Sequence, residues 1–321
     1  MYDAGVTTTV GCPRPAALAV AVTVLLSACA ALTPFAEIRG SLPAERFVEV
    51  EGRAVYVEQA GSGDALLLVH GFGGSAYSWR RVIPALAEHR RVVAVDLAGF
   101  GWTERVADPD AYTLGAQERL LLGVLDVLGI EQADVAGHSY GGGIALWLAA
   151  RHPERVRSLV LVDSTLPSYA AERRRGAARS HAAVSTFLRG VALRRGFVRL
   201  ALKRAFFDDA LVTDELVGAY LARLRVEGVV DAYLGLTQPL EEAQADVALA
   251  AINLPTLVVW GADDELLPAR WGEQAAGEMP RARFVVLERC GHVPMEERPE
   301  AFVSAVVPYL AEVAAATRGM S

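Results

Sequence analysis

Residues 133–142 read ADVAGHSYGG, and this stretch determines how the rest of the chain can be interpreted. The run 133–136 is typical of a short buried strand, and helix-forming residues follow the stretch. Gly137 and Gly141 permit a sharp turn between the two, because side chains at these positions would collide with neighbouring backbone. The pattern therefore predicts a strand, a tight turn that exposes Ser139, and a helix.

The segments on both sides of this stretch repeat the alternation of strands and helices. Continuous apolar strands separated by helices are typical of a parallel sheet that is covered on both faces. Strands are predicted at residues 47–50, 54–58, 65–69, 92–95, 133–136, 159–162, 256–260 and 283–287. Helices are predicted at about residues 77–88, 114–128, 142–151, 268–278 and 299–315.

One interval, residues 164–245, breaks the alternation because it contains helix-forming sequence and no strand-like run. A helical insertion between two strands accounts for it. Residues 165–235 hold twelve basic and seven acidic residues, a net charge of +5. Since the whole chain has a net charge of −7, the residues outside this interval have a net charge of −12. The positive charge, which includes Arg173, Arg174 and Arg175, either forms a solvated helical face or attracts an anionic surface.

Ser139 is a candidate nucleophile. A neutral hydroxyl needs a neighbouring base, and the base needs a group that orients it. Asp263 and Asp264 directly follow the strand-like run 256–260, and His292 follows the last one. Of the six histidines, only His292 comes after both the serine and these acids. The sequence therefore contains a serine, an acid and a histidine in a fixed order along the chain.

Together these features resemble the α/β-hydrolase superfamily, in which a G-x-S-x-G turn is followed by the acid and then the histidine. The resemblance covers roughly residues 45–315, and residues 96–103 (DLAGFGWT) are similar to the superfamily's D-x-x-G-x-G-x-S/T loop. It implies a mostly parallel eight-stranded sheet with helices on both faces. The core would comprise residues 46–163 and 246–315, and a helical cap, residues 164–245, would lie between strands β6 and β7.

The resemblance also assigns the catalytic residues. Ser139 is the expected nucleophile and His292 the expected base. The superfamily pattern G-x-x-D, counted from Gly261, ends at Asp264, which is therefore the expected acid. Asp163, at the end of the sixth strand, is an alternative that some relatives use, although this position more often supports the cap junction.

Residues 70–74 (HGFGG) resemble the superfamily's loop that helps to bind the developing oxyanion. The resemblance assigns the two donors to the backbone N–H groups of Phe72 and Tyr140. Phosphate-binding patterns of the G-x-x-x-x-G-K-[ST] and G-x-G-x-x-G types are absent, and the histidines lack metal-ligand spacing. We therefore expect neither a cofactor nor a metal.

Three functions are compatible with these residues. Serine at the turn excludes the usual chemistry of dehalogenases and epoxide hydrolases, which have aspartate there. Residues 99–105 (GFGWTER) are similar to hydrolases that cleave carbon–carbon bonds in ring-fission products, in which a cap arginine would hold the substrate carboxylate. Those enzymes usually have Asn where His138 stands, and many have Trp where Val293 stands. We therefore expect a carboxylic-ester hydrolase, esterase- or lipase-like, with carbon–carbon hydrolysis and a non-enzymatic ligand-binding module as alternatives.

The N-terminus predicts export. Residues 16–31 are uncharged, but they are too few to span a bilayer as a helix and fit the apolar region of a signal peptide. Residues 26–29 (LSAC) resemble the lipobox of bacterial lipoproteins, which implies a signal peptide over residues 1–28 and lipid attachment at Cys29. Residues 29–45 would be a polar linker. An ordinary secretory signal, giving a secreted or periplasmic protein, is the alternative.

The overall charge limits the partners. A net charge of −7 and a pI of about 5.5 give no electrostatic drive toward nucleic acid. The expected partners are a small-molecule or lipid ester substrate and, through the lipid anchor, a membrane.

Overall fold

The computed structural model describes residues 31–167, 191–236 and 247–319. The predicted signal peptide, residues 1–28, and the predicted lipidation residue Cys29 lie outside these ranges. Parts of the predicted cap also lie outside them, including Arg173, Arg174 and Arg175.

Within the described residues, eight strands form one sheet in the order β1-β2-β4-β3-β5-β6-β7-β8. Strand β2 pairs antiparallel with β1 and β4, and all the other pairs are parallel. Each predicted strand lies within an observed one, and the predicted fold class is confirmed. The strands are β1 Phe47–Val50, β2 Arg53–Ala60, β3 Ala65–Val69, β4 Arg91–Val95, β5 Ala133–His138, β6 Val156–Val162, β7 Thr256–Gly261 and β8 Ala282–Leu287.

The central strands are buried on both faces. Every residue of β3, β5 and β7 is buried, and separate apolar clusters cover the two sides of the sheet. This burial explains why the strands read as continuous apolar runs rather than as alternating patterns. Because β5, β6 and β7 run parallel, their carboxyl ends, where the candidate site residues stand, lie at one edge of the sheet.

Outside the insertion, the described part of the chain has seven α-helices on or beside the sheet. One predicted helix is wrong. Residues 77–88 form a 3₁₀ turn, Ala76–Trp79, and a separate short helix, because Pro84 has no N–H to continue a helix through this segment. The last helix runs to Arg318, three residues beyond its predicted end. The helices are α1 Phe35–Ser41, α2 Ile83–Ala87, α3 Leu114–Val127, α4 Tyr140–Arg151, α8 Ala269–Glu278, α9 Pro294–Glu297 and α10 Pro299–Arg318.

Helix α10 is the one helix of the described residues that is long and apolar enough to cross a membrane. Phe302, Val306 and Leu310 on this helix are buried in the cluster on one side of the sheet. One face of α10 therefore packs on the sheet.

Among the described residues, three helices lie between β6 and β7, in the predicted cap, and we refer to them as the cap helices. They are α5 Arg195–Ala205, α6 Asp214–Leu224 and α7 Val229–Leu236. Helix α5 turns Val198 and Leu202 inward, and α6 turns Val217 and Leu221 inward.

The segment before β1 differs from the polar linker that we expected over residues 29–45. Thr33 donates its N–H to the Arg225 carbonyl at 2.7 Å, and its carbonyl accepts the Glu227 N–H at 2.9 Å. Ile38 of α1 is buried, and the Phe35 ring meets the Phe47 ring at a centroid distance of 6.2 Å. Apolar side chains of this stretch dock its described residues on the body and the cap, in place of an extended tether.

Candidate active site

The turn between β5 and α4 holds Ser139 in strained backbone geometry. Its φ is 49° and its ψ is −117°, a conformation that non-glycine residues adopt only where the surroundings enforce it. A Cβ on Gly137 would lie 2.5 Å from the Gly141 carbonyl oxygen, and one on Gly141 would lie 2.4 Å from the His70 carbonyl oxygen. Both glycines are therefore needed for the turn, which places Ser139 at the N-terminus of α4.

Asp264 and His292 meet as the sequence suggested. The Nδ1–H of His292 donates to Oδ2 of Asp264 at 2.7 Å, and Oδ1 accepts the N–H groups of Leu266 and Leu267 at 2.8 and 3.0 Å. Burial raises the pKa of Asp264, but the hydrogen bond and charge of His292 and the Leu267 N–H outweigh burial and hold the pKa below its usual value. Asp264 is therefore ionised, and Nε2 is the His292 nitrogen that can accept a proton.

The alternative acid, Asp163, is fully buried at the end of β6 and has a φ of 40°. Its Oδ1 accepts the Gly261 N–H at 3.0 Å, and its buried Oδ2 has no partner among the described residues. Burial, together with the neighbouring Asp264 carboxylate, raises the pKa of Asp163 well above its usual value. The raised pKa favours the neutral form of the Asp163 carboxyl group. The other candidate, Asp263, is exposed.

Asp163, Asp264 and His292 are also the group that could hold a metal ion within the described part of the chain. Their ligand atoms lie within 4.8 Å of one another. The hydrogen bond between His292 and Asp264 accounts for the approach of those two side chains without an ion.

The two candidate oxyanion donors lie on either side of the turn. Within the part of the chain that the structure describes, the N–H groups of Phe72 and Tyr140 have no hydrogen-bond partner, and Tyr140 is the first residue of α4. A Cβ on Gly71 would lie 3.0 Å from the Ser139 Cβ, so the loop that carries Phe72 packs directly against the serine. Two free donors close to a nucleophile can stabilise negative charge that develops during attack on a carbonyl group.

Two buried histidines support this arrangement, and the sequence had suggested no role for their side chains. Nε2 of His70 accepts the Leu97 N–H at 3.0 Å, so Nδ1 carries the proton that it donates to the Gly71 carbonyl at 2.8 Å. His138 donates its Nε2–H to the His292 carbonyl at 2.7 Å. Burial lowers the pKa of His70 to about 4 and, with the help of His292, that of His138 to about 3.

Aromatic side chains line the approach to the loop. Phe72 is half-exposed, and its ring lies 5.3 Å from the rings of Phe100 and of Tyr233 on cap helix α7. A substrate that reached Ser139 along this side would contact an apolar wall formed by core and cap together.

The described cations of the cap already have partners. Arg223 of α6 stacks on the rings of Tyr77 and Trp102, with its Cζ 4.2 and 5.0 Å from their centroids. Other cations of these helices form ion pairs: Arg195 and Arg199 with Asp214, Lys203 with Asp209, and Arg204 with Glu265.

Comparison with known proteins identifies the family to which the sequence is similar. The sequence model of the alpha/beta hydrolase fold family matches residues 64–299. The chain is 36% identical over 281 residues to the 2-hydroxymuconate semialdehyde hydrolase of Pseudomonas sp. strain CF600, an alignment that covers 84% of this chain and 95% of the relative.

Two solved structures are informative. The meta-cleavage product hydrolase CumD from Pseudomonas fluorescens IP01 matches with a TM-score of 0.69 and 28% identity, over 83% of this chain and 97% of its own. A membrane phospholipase A, described as a bacterial virulence factor, matches with a TM-score of 0.68 and 26% identity, over 94% of this chain and 96% of its own. The second match extends over more of this chain than the first.

Proposed function

Because the chain belongs to the alpha/beta hydrolase family, we propose that it is a serine hydrolase that cleaves carboxylic esters, with acyl lipids as the preferred substrate class. The geometry around Ser139 supports the reaction type. A strained serine, a histidine bonded to an ionised acid and two unpartnered N–H groups are the parts that acyl transfer requires.

In the proposed mechanism, Ser139 Oγ attacks the ester carbonyl carbon while Nε2 of His292 takes the hydroxyl proton. Asp264 holds the imidazole in the Nδ1–H tautomer and stabilises the imidazolium that forms. The N–H groups of Phe72 and Tyr140 bind the oxyanion. His292 then donates the proton to the leaving alcohol, and a water molecule, activated by the same histidine, releases the acid from the acyl-serine.

The extent of the match to the membrane phospholipase A is the observation that carries the choice of ester. This match covers 94% of the chain, whereas the CumD match covers 83%. The apolar wall that Phe72 forms with Phe100 and Tyr233 suits an acyl chain.

Carbon–carbon hydrolysis of a ring-fission product is the second candidate, and the 36% identity to the 2-hydroxymuconate semialdehyde hydrolase favours it. The same serine, histidine and acid would act on a ketone carbonyl group. The substrate's carboxylate would need a cation. Among the described cap cations, Arg225 donates to the Leu193 carbonyl, and Arg195, Arg199, Lys203, Arg204 and Arg223 contact acids or aromatic rings.

A direct rate comparison tests the proposal. Purified protein is assayed with p-nitrophenyl esters of increasing chain length, with a phospholipid, and with a dienoate ring-fission product. We expect kcat/KM for the best ester to exceed that for the dienoate by at least about 100-fold, a difference of about 2.7 kcal/mol in transition-state binding. Ser139→Ala is the control and should abolish both activities. A dienoate preferred over every ester would establish the second candidate instead.

We further propose that the protein is exported and anchored through lipid on Cys29. The lipobox-like residues 26–29 support the anchor, and the net charge of +5 on residues 165–235 would favour an anionic membrane surface. Mass spectrometry of the membrane fraction should find a lipid-modified N-terminal Cys29, and Cys29→Ser should move the protein into the soluble fraction. Wild-type protein that is soluble and has an unmodified Cys29 would remove the anchor.

A further inference from the structure

The backbone of His292 is held from two sides. Its carbonyl accepts the His138 Nε2–H from the nucleophile turn, and its N–H donates to the Ala205 carbonyl at 2.7 Å. Ala205 is the last residue of cap helix α5. The candidate base is therefore bonded to the core on one side and to the cap on the other.

The carboxylate of Glu297 also connects the end of α5 to the loop that carries His292, and we call this contact region the junction. Oε2 of Glu297 accepts the N–H of Phe207, two residues beyond the end of α5, at 2.7 Å, and Oε1 accepts the N–H of Gly291 at 2.8 Å. Glu297 is 7% exposed and has no ion pair among the described residues. Burial raises its pKa, and the N–H groups of Phe207 and Gly291 oppose that effect. Its described partners are backbone groups, whose positions it fixes.

The junction has little free space. A Cβ on Gly291 would lie 2.5 Å from the Ala205 carbonyl oxygen and 2.8 Å from the Phe207 nitrogen. Leu202 and Phe206 at the end of α5 are buried in the same apolar cluster as Val293. A shift of the end of α5 is therefore transmitted to the loop that carries His292.

We propose that Glu297 is a positioning residue for His292, which it holds in place by clamping the end of cap helix α5 to the loop that carries the histidine. This inference rests on the proposed serine-hydrolase function. It makes the cap part of the support of the base, in addition to its contribution to the substrate-binding wall.

The hydrogen bond between Phe207 and Glu297 can be removed by a substitution in the cap that leaves Glu297 unchanged. Phe207→Pro removes the N–H that Glu297 binds, and Phe206, with φ −94° and ψ 139°, already has a conformation suited to precede proline. Phe207→Ala is the matched control, because it keeps the N–H and removes the half-exposed ring. We expect Phe207→Pro to lower kcat about 10- to 100-fold relative to Phe207→Ala, with KM within twofold, since a small misplacement of the base affects the chemical step.

A second pair of variants changes the carboxylate itself. It keeps the proposal testable if Phe207→Pro does not fold. Glu297→Gln turns an amide N–H₂ toward a backbone N–H and breaks one of the two bonds. Glu296→Gln is its control, because Glu296 ties the cap to the core through Arg80 and Tyr220 without contacting Gly291 or Phe207. We expect the Glu297→Gln loss in kcat to exceed that of Glu296→Gln at least tenfold, with thermal melting showing that both are folded.

Equal kcat values for Phe207→Pro and Phe207→Ala, or equal losses in Glu296→Gln and Glu297→Gln, would overturn the clamp, since loosening of the cap would then explain any effect. Ser139→Ala, assayed alongside, separates this failure from failure of the proposed function. Turnover that survives Ser139→Ala refutes the function, whereas turnover lost in Ser139→Ala with an unaffected Phe207→Pro refutes only the clamp.

Discussion

The ends of strands β6 and β7 each present a buried aspartate beside the candidate base, and the two differ in their partners. Asp264, after β7, accepts the His292 Nδ1–H and two backbone N–H groups. Asp163, after β6, accepts one backbone N–H and leaves its second oxygen without a partner in the described part of the chain. The pKa of the first is lowered and that of the second is raised.

The number of hydrogen-bond donors thus decides which carboxylate carries the charge, because burial alone would raise both pKa values. When two buried carboxylates are neighbours, the charge on one raises the pKa of the other. Asp264 is hydrogen-bonded to His292, and the raised pKa of Asp163 favours its neutral form.

The largest expected effect follows from neutralising the ionised partner. Asp264→Asn should lower kcat by about 10⁴, because the amide no longer selects the Nδ1–H tautomer or stabilises the imidazolium. Steady-state kinetics with a short ester measure the loss. Near-normal activity in this variant, together with collapse in Asp163→Asn, would reverse the assignment.

The second prediction concerns stability and pH. A carboxyl group whose pKa is raised on folding costs stability as the pH rises above its ordinary value of 3.8. Asp163→Asn removes this cost, so its melting temperature should match wild type near pH 4 and exceed it by about 2–4 °C at pH 8. For Asp264, whose pKa is lowered, the sign is opposite, and Asp264→Asn should lose stability above pH 4. Calorimetry across this range checks both, and a destabilised Asp163→Asn at pH 8 would contradict a neutral Asp163.

The third prediction is a small kinetic effect of the same substitution. Asparagine has nearly the shape of a protonated aspartate and still offers an oxygen to the Gly261 N–H. We therefore expect Asp163→Asn to keep kcat within about threefold of wild type, by the same ester assay. A loss of more than 100-fold would mean that Asp163 carries the charge that His292 needs.

The smallest effect is expected at the adjacent acid. Asp263 is exposed to solvent, unlike its buried neighbour Asp264. Asp263→Asn should leave kcat within twofold and the melting temperature within about 1 °C of wild type. A large loss here would show that the spacing from Gly261 selects the wrong residue.

Much of the fold could be predicted because its determinants are local. The strands buried on both faces read as apolar runs, and the close approaches at Gly137 and Gly141 exclude any side chain, so both features are visible in the sequence. The approach of Asp264 to His292 follows from their places after adjacent parallel strands. The assignment of catalytic roles stays a prediction.

Other features depend on contacts between distant residues and have no local signal. Thr33 pairs with Val226 across the chain, and Phe207 binds a carboxylate 90 residues away. The protonation state of Asp163 depends on how many donors the fold brings to it. Pro84 did carry a local signal that the predicted helix over residues 77–88 should have taken into account.

The central claim is acyl transfer through Ser139, and covalent labelling tests it most directly. A fluorophosphonate forms a stable adduct with an activated serine that mimics the tetrahedral intermediate. Mass spectrometry of the labelled protein should find one adduct per chain, on the peptide that contains Ser139, and none in Ser139→Ala. An adduct on a different serine, or no adduct on a protein that still hydrolyses esters, would contradict the account.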